Sequence, residues 1–148
     1  MRLWIAIVER KNPTGPCAQL LHDYVARAGR YLPCELQIAA SEAKLLEAVD
    51  RAAGRTRPVL ILADSSGALL TSTEFAAELT RRIDSGAQLF VLATGPADGW
   101  SAAARARADL LLSFGRITLP HELAAVVAAE QLYRALTIRT GHPYHCGH

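Results

Sequence analysis

The chain has 148 residues and a formal net charge of +2, with 51% hydrophobic and 20% charged residues. This composition is typical of one folded domain and excludes a disordered or fibrous chain. Apolar runs are no longer than about seven residues and no secretory signal precedes them, so we expect a cytoplasmic protein without membrane contact. Three cysteines without a paired motif indicate reduced thiols.

Five apolar segments of strand length alternate with segments of helical period. The apolar runs are continuous, as in central strands that are covered on both faces. The sequence therefore predicts one α/β domain with a parallel sheet and helices on both faces. The predicted strands are residues 3–8, 36–40, 58–63, 88–93 and 110–114.

Local signals mark the predicted helix ends. Proline suits the first helical turn, serine and threonine cap free N–H groups, and glycine adopts the left-handed conformation that ends many helices. The predicted starts are Pro16, Ser41, Thr71 with Glu74 in a capping box, Ser101 and Pro120, and the glycines that end helices are Gly54, Gly86 and Gly141.

The last predicted helix, from Pro120 to about Arg139, carries apolar side chains on more than one face. One sheet face cannot cover them all, and a small domain has little room to bury a whole helix. We therefore expect a homodimer, with complete burial inside the chain as the alternative. The apolar residues are Leu123, Val126, Val127, Leu132, Tyr133 and Leu136.

Glycine-containing loops, ADSSG, ATGPADGW and SFGRITLPH, follow the third, fourth and fifth predicted strands. Ligands of open parallel sheets bind beyond the carboxyl ends of the strands, and glycine lets the backbone approach a ligand closely. Each loop alone is equally a simple turn, but three at one sheet edge indicate a ligand site. The sequence lacks a dinucleotide fingerprint, a phosphate loop, a nucleophile elbow and a zinc helix, which disfavours a hydrolase or a nucleoside triphosphatase.

The chain closes with HPYHCGH, residues 142–148. Three histidines and a cysteine are zinc-type ligands, but they share one terminal stretch without a second pair elsewhere, so we expect no metal. Pro143 and Tyr144 restrict the backbone and favour packing on a surface, whereas a frayed end is the alternative.

Residues 118–145, TLPHELAAVVAAEQLYRALTIRTGHPYH, resemble the C-terminal signature of the RlmH family, the pseudouridine N3-methyltransferases of bacterial 23S ribosomal RNA. That signature is T-[LF]-P-H, a long helix with E-x-[LV]-Y-R-A, and a closing H-P-Y-H. The segments DYVARAGRYLP, LADSSGALLTSTEFAAEL and LFVLATGPADGWS occupy the family's places in order, so the resemblance covers nearly the whole chain.

The resemblance implies a SPOUT-type α/β domain over residues 1–148, with a C-terminal trefoil knot and a homodimer. It also implies transfer of a methyl group from S-adenosylmethionine to N3 of a pseudouridine in the RNA of the large ribosomal subunit or the 70S ribosome, without a metal. The implied cofactor contacts are Ala63, Asp64, Thr94, Gly95, Phe114, Gly115, Arg116, Ile117, Thr118 and Leu119.

For catalysis, His142, Tyr144 and His145 are the candidate proton acceptors, because histidine titrates in the required range. Arg134 is a candidate to neutralise a phosphate or the anionic base, and a plain salt bridge is its equal alternative.

Four departures from the family pattern matter. Thr94 replaces a glycine, where we expect a β-branched side chain to block the cofactor or to require another backbone angle. Ala125 replaces an arginine that would contact phosphate, Cys146 replaces a basic residue, and the stretch between the first helix and the third strand is short.

These departures keep two alternatives open. One is a catalytically impaired or non-catalytic RNA-binding or regulatory homodimer on the same fold, and the other is an unknotted doubly wound nucleotide binder. Further basic residues either form an RNA surface or simply solvate helix faces. They are Arg51, Arg55, Arg57, Arg81, Arg82, Arg105 and Arg107.

Overall fold

A computed structural model describes residues 1–146, and within them five strands alternate with five helices as predicted. The strands are β1 (Arg2–Val8), β2 (Cys34–Ala39), β3 (Val59–Ala68), β4 (Leu89–Thr94) and β5 (Leu110–Leu112). The helices are α1 (Gly15–Ala28), α2 (Glu42–Arg51), α3 (Ser72–Asp84), α4 (Ala102–Arg107) and α5 (His121–Thr140).

The strands form one sheet in the order β2-β1-β4-β3-β5, and every neighbouring pair is parallel. The carboxyl ends of all the strands therefore lie at one edge, where the loops that follow them meet. The parallel α/β architecture is confirmed. The trefoil knot and the assignment of residues 1–148 to one domain stay predictions.

Two hydrophobic cores cover the two faces of the sheet. Strand residues alternate between them, because successive side chains of a strand point to opposite faces. Helices α1, α3 and α5 cover one face, with Leu3, Ile5, Leu21, Leu79, Phe90 and Leu132 in its core. Helices α2 and α4 cover the other, with Trp4, Leu45, Val49, Val91, Trp100 and Ala104.

Helix α5 lies between α1 and α3 above the centre of the sheet, and its Leu132 and Leu136 are fully buried. A small domain does have room to bury most of this helix, contrary to our expectation, because α1 and α3 cover the faces that the sheet leaves open, whereas Leu123 stays 42% exposed. The homodimer thus stays a prediction from the resemblance. Among the described residues, none of the helices is both long and apolar enough to traverse a bilayer.

The helix ends follow their local signals. Ser41 caps α2 by accepting a hydrogen bond of 3.2 Å from the backbone N–H three residues on. Thr71 and Glu74 form the expected reciprocal capping box, with both hydrogen bonds at 3.1 Å. Gly141 ends α5 in the left-handed conformation, at φ 75°. Gly54, expected to end α2, lies beyond that helix, which stops at Arg51.

Candidate functional site

Strand β3 continues past its predicted end to Ala68, but its pairing with β5 is interrupted. The register shifts between Ala63 and Ala68, which both lie opposite Leu112. Gly67 then passes so close to β5 that an added Cβ would lie 2.5 Å from the backbone of Leu111. Glycine therefore lets the strand rejoin β5 after an unpaired excursion of residues 64–67.

Two cavities flank residues 63–65 at the carboxyl edge of the sheet. One, of about 500 Å³, is bounded by the β5–α5 loop, residues 113–119, and by Ala124. The other, of about 480 Å³, is bounded by residues 95–100 and Arg105. Together they form a single feature that we call the cleft. It is lined by nine of the ten candidate cofactor residues: Ala63, Asp64, Gly95, Phe114, Gly115, Arg116, Ile117, Thr118 and Leu119.

Trp100, which sequence reasoning did not select, closes the loop after β4. Its indole N–H donates a hydrogen bond of 2.8 Å to the carbonyl of Ala63. Its ring lies on Gly95, where an added Cβ would come within 2.6 Å of a ring carbon. Gly95 is therefore required by packing against Trp100. The available signal was a tryptophan directly after a glycine-rich loop.

Asp64 is a buried anion in the wall of the cleft, with its side chain 5% exposed. Arg105 of α4 binds both carboxylate oxygens, at 2.7 to 2.9 Å. The backbone N–H and the hydroxyl of Ser66 donate to the same carboxylate, at 2.8 and 2.6 Å. Burial alone would raise the pKa of the Asp64 carboxyl, but the hydrogen bonds from Ser66 and Arg105 and the charge of Arg105 hold it below its ordinary value.

Thr94, the tenth candidate, ends β4 directly before the cleft and is 3% exposed. Its backbone is not in the left-handed region and continues β4. The expectation that its β-branched side chain blocks the cofactor or requires another backbone angle stays a prediction. Its hydroxyl is buried and finds no hydrogen-bond partner within residues 1–146. A buried hydroxyl without a partner costs folding free energy, which makes it a candidate ligand contact.

The four candidate catalytic residues lie together where the C-terminal tail packs on α5, as expected for its proline and tyrosine. Tyr144 donates to Glu130 at 2.9 Å and packs edge-on against Tyr133 at a centroid distance of 4.7 Å. Arg134 donates to Glu130 at 2.5 Å and lies 4.8 Å from the centroid of the Tyr144 ring. Its guanidinium is also 3.1 Å from His145 Nδ1. We call these five residues the tail cluster; His142 adjoins it.

The ring nitrogens of the tail that could accept a proton already accept hydrogen bonds. A guanidinium can only donate, so His145 Nδ1 accepts from Arg134 and the neutral ring carries its proton on Nε2. His142 Nδ1 likewise accepts from the backbone N–H of Tyr144, at 3.2 Å. Burial raises the pKa of the Tyr144 hydroxyl, and so do hydrogen bonds with Tyr24 and Glu130. Docked on α5, both imidazoles therefore have Nδ1 occupied, and the Tyr144 hydroxyl donates to Glu130.

The tail cluster and the cleft lie at different heights on α5. Ala124 lines the cleft, whereas Arg134 is ten residues further along the helix. At a rise of about 1.5 Å per residue, this separation is about 15 Å. One chain therefore does not bring the candidate catalytic residues to the candidate cofactor residues.

The tail carries histidine and cysteine side chains of the kinds that bind zinc. Within residues 1–146, no group of three or more potential His, Cys, Asp or Glu ligands is close enough to hold a metal ion. The candidate ligand His148 lies outside the described residues. Cys146 is exposed, and its Sγ lies 3.5 Å from the carbonyl of Pro143.

Ala125 faces the interior of the protein and is 2% exposed. With Glu9 and His121 it lines a small cavity of about 30 Å³. The His121 Nε2 lies 3.2 Å from a Glu9 carboxylate oxygen, so this pair joins the end of β1 to the start of α5. The structure therefore does not place position 125 on an RNA-facing surface.

Most of the arginines considered as an RNA surface are engaged in ion pairs. Arg51, Arg57, Arg81, Arg82, Arg105 and Arg107 each lie beside a carboxylate. Within the described part of the chain, exposed cations without an ion-pair partner lie in the loops after β1 and β5 at the carboxyl edge of the sheet: Arg10, Lys11 and Arg116. Lys44, in the first turn of α2, is another exposed cation at this edge.

The parallel sheet and the glycine-containing cleft at its carboxyl edge define an α/β protein with a candidate ligand site at the ends of its strands. A family described as "Predicted SPOUT methyltransferase" matches residues 1–145. With this match and the relatives below, the chain belongs to the SPOUT methyltransferases and, among them, to the RlmH family.

Two relatives carry the name "Ribosomal RNA large subunit methyltransferase H". The protein of Koribacter versatilis is 48% identical over 146 residues, which cover 99% of this chain and 97% of the relative. The protein of Rhodospirillum centenum is 40% identical over 151 residues, covering 98% and 99%.

A solved structure has a similar fold. It is the SpoU methyltransferase AviRb from Streptomyces viridochromogenes, in complex with the cofactor AdoMet, with a TM-score of 0.51 and 15% sequence identity. The likeness covers 95% of this chain and 58% of that protein. The SPOUT-type fold expected from the resemblance is thereby confirmed.

Proposed function

We propose that this protein transfers a methyl group from S-adenosylmethionine to N3 of a pseudouridine in the 23S ribosomal RNA of the large subunit. The observation that carries the proposal is the cleft, where three loops of a SPOUT-type sheet meet around Ala63 and Asp64. The names of the relatives, 40 to 48% identical over nearly the whole chain, support ribosomal RNA as the substrate.

The residues of the cleft fit an adenosyl group. Each of its two cavities, of about 500 and 480 Å³, lies in the size range of small-ligand sites. The Ala63 carbonyl accepts one hydrogen bond from Trp100 and keeps a second lone pair for a ligand. Gly115 has φ 120° and open space where a side chain would stand, so its backbone is accessible from the cleft.

The cofactor, when bound, would supply an electrophilic methyl group on a sulfonium. Transfer would form the N3–carbon bond, break the sulfur–carbon bond with its electron pair left on sulfur, and release the N3 proton to a base of the protein. The chain's own part is to align donor and acceptor and to exclude water with apolar groups such as Phe114 and Leu119. Alignment alone is worth up to about 7 to 11 kcal/mol in well-oriented systems.

We infer that the working unit is a homodimer in which one copy brings its tail cluster to the cleft of the other. The separation of about 15 Å along α5 prevents a single docked chain from doing so. Leu20 and Leu123, on the adjacent helices α1 and α5, are 46% and 42% exposed and suit an apolar contact between copies. On leaving α5, His145 would recover a free Nδ1 that can accept the N3 proton.

RNA would approach over the rim formed by Arg10, Lys11 and Arg116. These exposed cations follow β1 and β5 at the edge that holds the cleft. The Glu9–His121 contact brings the end of β1 beside the start of α5. The loop after β1 and the loop after β5, which carry these cations, therefore both border the opening of the cleft. Arginine and lysine without ion-pair partners can bind phosphate without first breaking a salt bridge.

A second candidate function is a non-catalytic RNA-binding homodimer, favoured by the engaged proton acceptors of the docked tail. Calorimetry with S-adenosylhomocysteine separates the two. An enzyme binds S-adenosylhomocysteine, because it is the product left when the cofactor has given up its methyl group. No heat for the natural chain, with binding gained by Thr94→Gly, supports the second candidate.

The proposed function is tested by incubating the protein with S-adenosylmethionine labelled at the methyl group and with 70S ribosomes, separated large subunits or free 23S RNA. We expect label in the RNA from at least one of these substrates and a loss of at least about 100-fold for His145→Ala with folding intact. Cofactor binding without transfer to any of the three would contradict the proposed substrate.

A further inference from the structure

Helix α4 and the loop before it form hydrogen bonds with two consecutive residues of the cleft wall. Trp100 holds the Ala63 carbonyl, and five residues later Arg105 holds the Asp64 carboxylate. Arg105 also donates to the hydroxyl of Ser66 at 3.0 Å. We call Trp100 and Arg105 together the α4 clamp.

The clamp acts on a part of β3 that strand pairing leaves free. Residues 64–67 form the excursion between the two stretches of β3 that pair with β5. Its start is bonded to α4, and its end is fixed by Gly67 against Leu111. Without Arg105, the internal hydrogen bonds between Asp64 and Ser66 would remain, but nothing described would tie this turn to α4.

Asp64 is the most buried acid among the ion pairs of the described residues: its side chain is 5% exposed, whereas that of Arg105 is 43% exposed. Removing Arg105 therefore leaves a buried carboxylate without its cation, which is more disruptive than losing a pair whose acid is exposed. The neighbouring Arg107, on the same short helix, pairs with Asp50, whose side chain is 65% exposed.

We propose that Arg105 is a positioning residue for the cofactor: by holding Asp64 it sets the backbone of residues 63–65, which both cavities of the cleft share. This inference rests on the proposed function. The Asp64 carboxylate is occupied by Arg105 and Ser66, so it shapes the wall and leaves ligand contact to the neighbouring backbone. Loss of Arg105 lets the wall move and weakens cofactor binding, while the residues that act on the RNA are untouched.

The test measures S-adenosylhomocysteine binding by calorimetry and the KM and kcat of methyl transfer. For Arg105→Ala we expect the Kd and the KM for S-adenosylmethionine to rise by about tenfold or more, with kcat at saturating cofactor within about twofold. Arg105→Lys keeps the charge but loses the two-pronged geometry, so it should fall between Arg105→Ala and the natural chain. Arg107→Ala, the matched control, should leave the Kd unchanged.

A double variant shows whether the effect passes through Asp64. If it does, Arg105→Ala combined with Asp64→Asn should bind no more weakly than Arg105→Ala alone, because the two changes remove one interaction. Unchanged Kd and KM in folded Arg105→Ala or Arg105→Lys would overturn the clamp while leaving the proposed function intact. A proportional fall in kcat without a change in KM would also overturn it. Absence of binding by the natural chain would overturn the proposed function, and the clamp's role with it.

Discussion

The hydroxyl of Tyr144 donates a hydrogen bond to the Glu130 carboxylate, 2.9 Å away, and so fastens the tail to the helix that it follows. The same carboxylate accepts from Arg134, which in turn occupies His145 Nδ1. Glu130 therefore holds both Tyr144 and Arg134, the two side chains that connect the tail to α5.

Replacing Tyr144 by phenylalanine should loosen the tail, because the ring can still pack on Tyr133 while the hydrogen bond to a charged partner is lost. The cost in unfolding free energy should be about 1 kcal/mol, since the group is partly exposed. Hydrogen exchange should show faster exchange of residues 142–146. Tyr31→Phe, on another ring beside Tyr133, is the control. Equal tail protection in Tyr144→Phe and the natural chain would contradict the hydrogen bond's role.

Gly95→Ala should destabilise the protein by about 1 to 3 kcal/mol, because its Cβ would overlap the Trp100 ring. In a Trp100→Leu background the smaller side chain removes most of this overlap, so the added cost of Gly95→Ala should fall. Urea unfolding of the four proteins gives the coupling energy. Strictly additive costs would show that the ring does not dictate glycine at this position.

Arg116→Ala should weaken RNA binding and lower the slope of log K against log salt by about one, as expected for one lost phosphate contact. Arg55→Ala is a matched control, since Arg55 is exposed but follows α2 at the opposite edge of the sheet. Fluorescence anisotropy with an rRNA stem-loop over a salt series measures both. An equal loss for the two variants would mean that the basic rim is not the RNA surface.

Mixing two impaired variants at a low concentration of S-adenosylmethionine tests the shared site. A chain with the cleft altered by Arg105→Ala binds the cofactor weakly but still carries an intact tail, and a His145→Ala chain still carries an intact cleft. A heterodimer contains one cleft that is served by an intact tail, so the mixture should recover up to about a quarter to a half of natural activity. No recovery, despite evidence for mixed dimers from native mass spectrometry, would place each tail on its own chain's cleft.

Local chemistry made the helices and their ends predictable. The residues that cap or end helices act on backbone groups only a few positions away, so neighbouring residues are enough to predict them. Examples are Ser41, Thr71 and Gly141. The strands were equally clear, because central strands of a parallel sheet are apolar on both faces.

Long-range pairing was not predictable in the same way. Asp64 and Arg105 are 41 residues apart in sequence, and the excursion that exposes Asp64 depends on where Gly67 meets β5. The three loops of the cleft were found because parallel strands must end at one edge, whereas Trp100 was missed because its partner Ala63 lies on another strand. The burial of α5 was misjudged because periodicity does not reveal how many neighbours a helix will have.

The proposed methylation of N3 of a pseudouridine in 23S ribosomal RNA is tested most directly by nucleoside mass spectrometry. The 23S RNA is analysed after 70S ribosomes that lack the modification have been incubated with the protein and S-adenosylmethionine. We expect one new singly methylated pseudouridine with the methyl group on N3, absent when Arg105→Ala is combined with His145→Ala. A methyl group on another base, on a ribose, or on no nucleoside would contradict it.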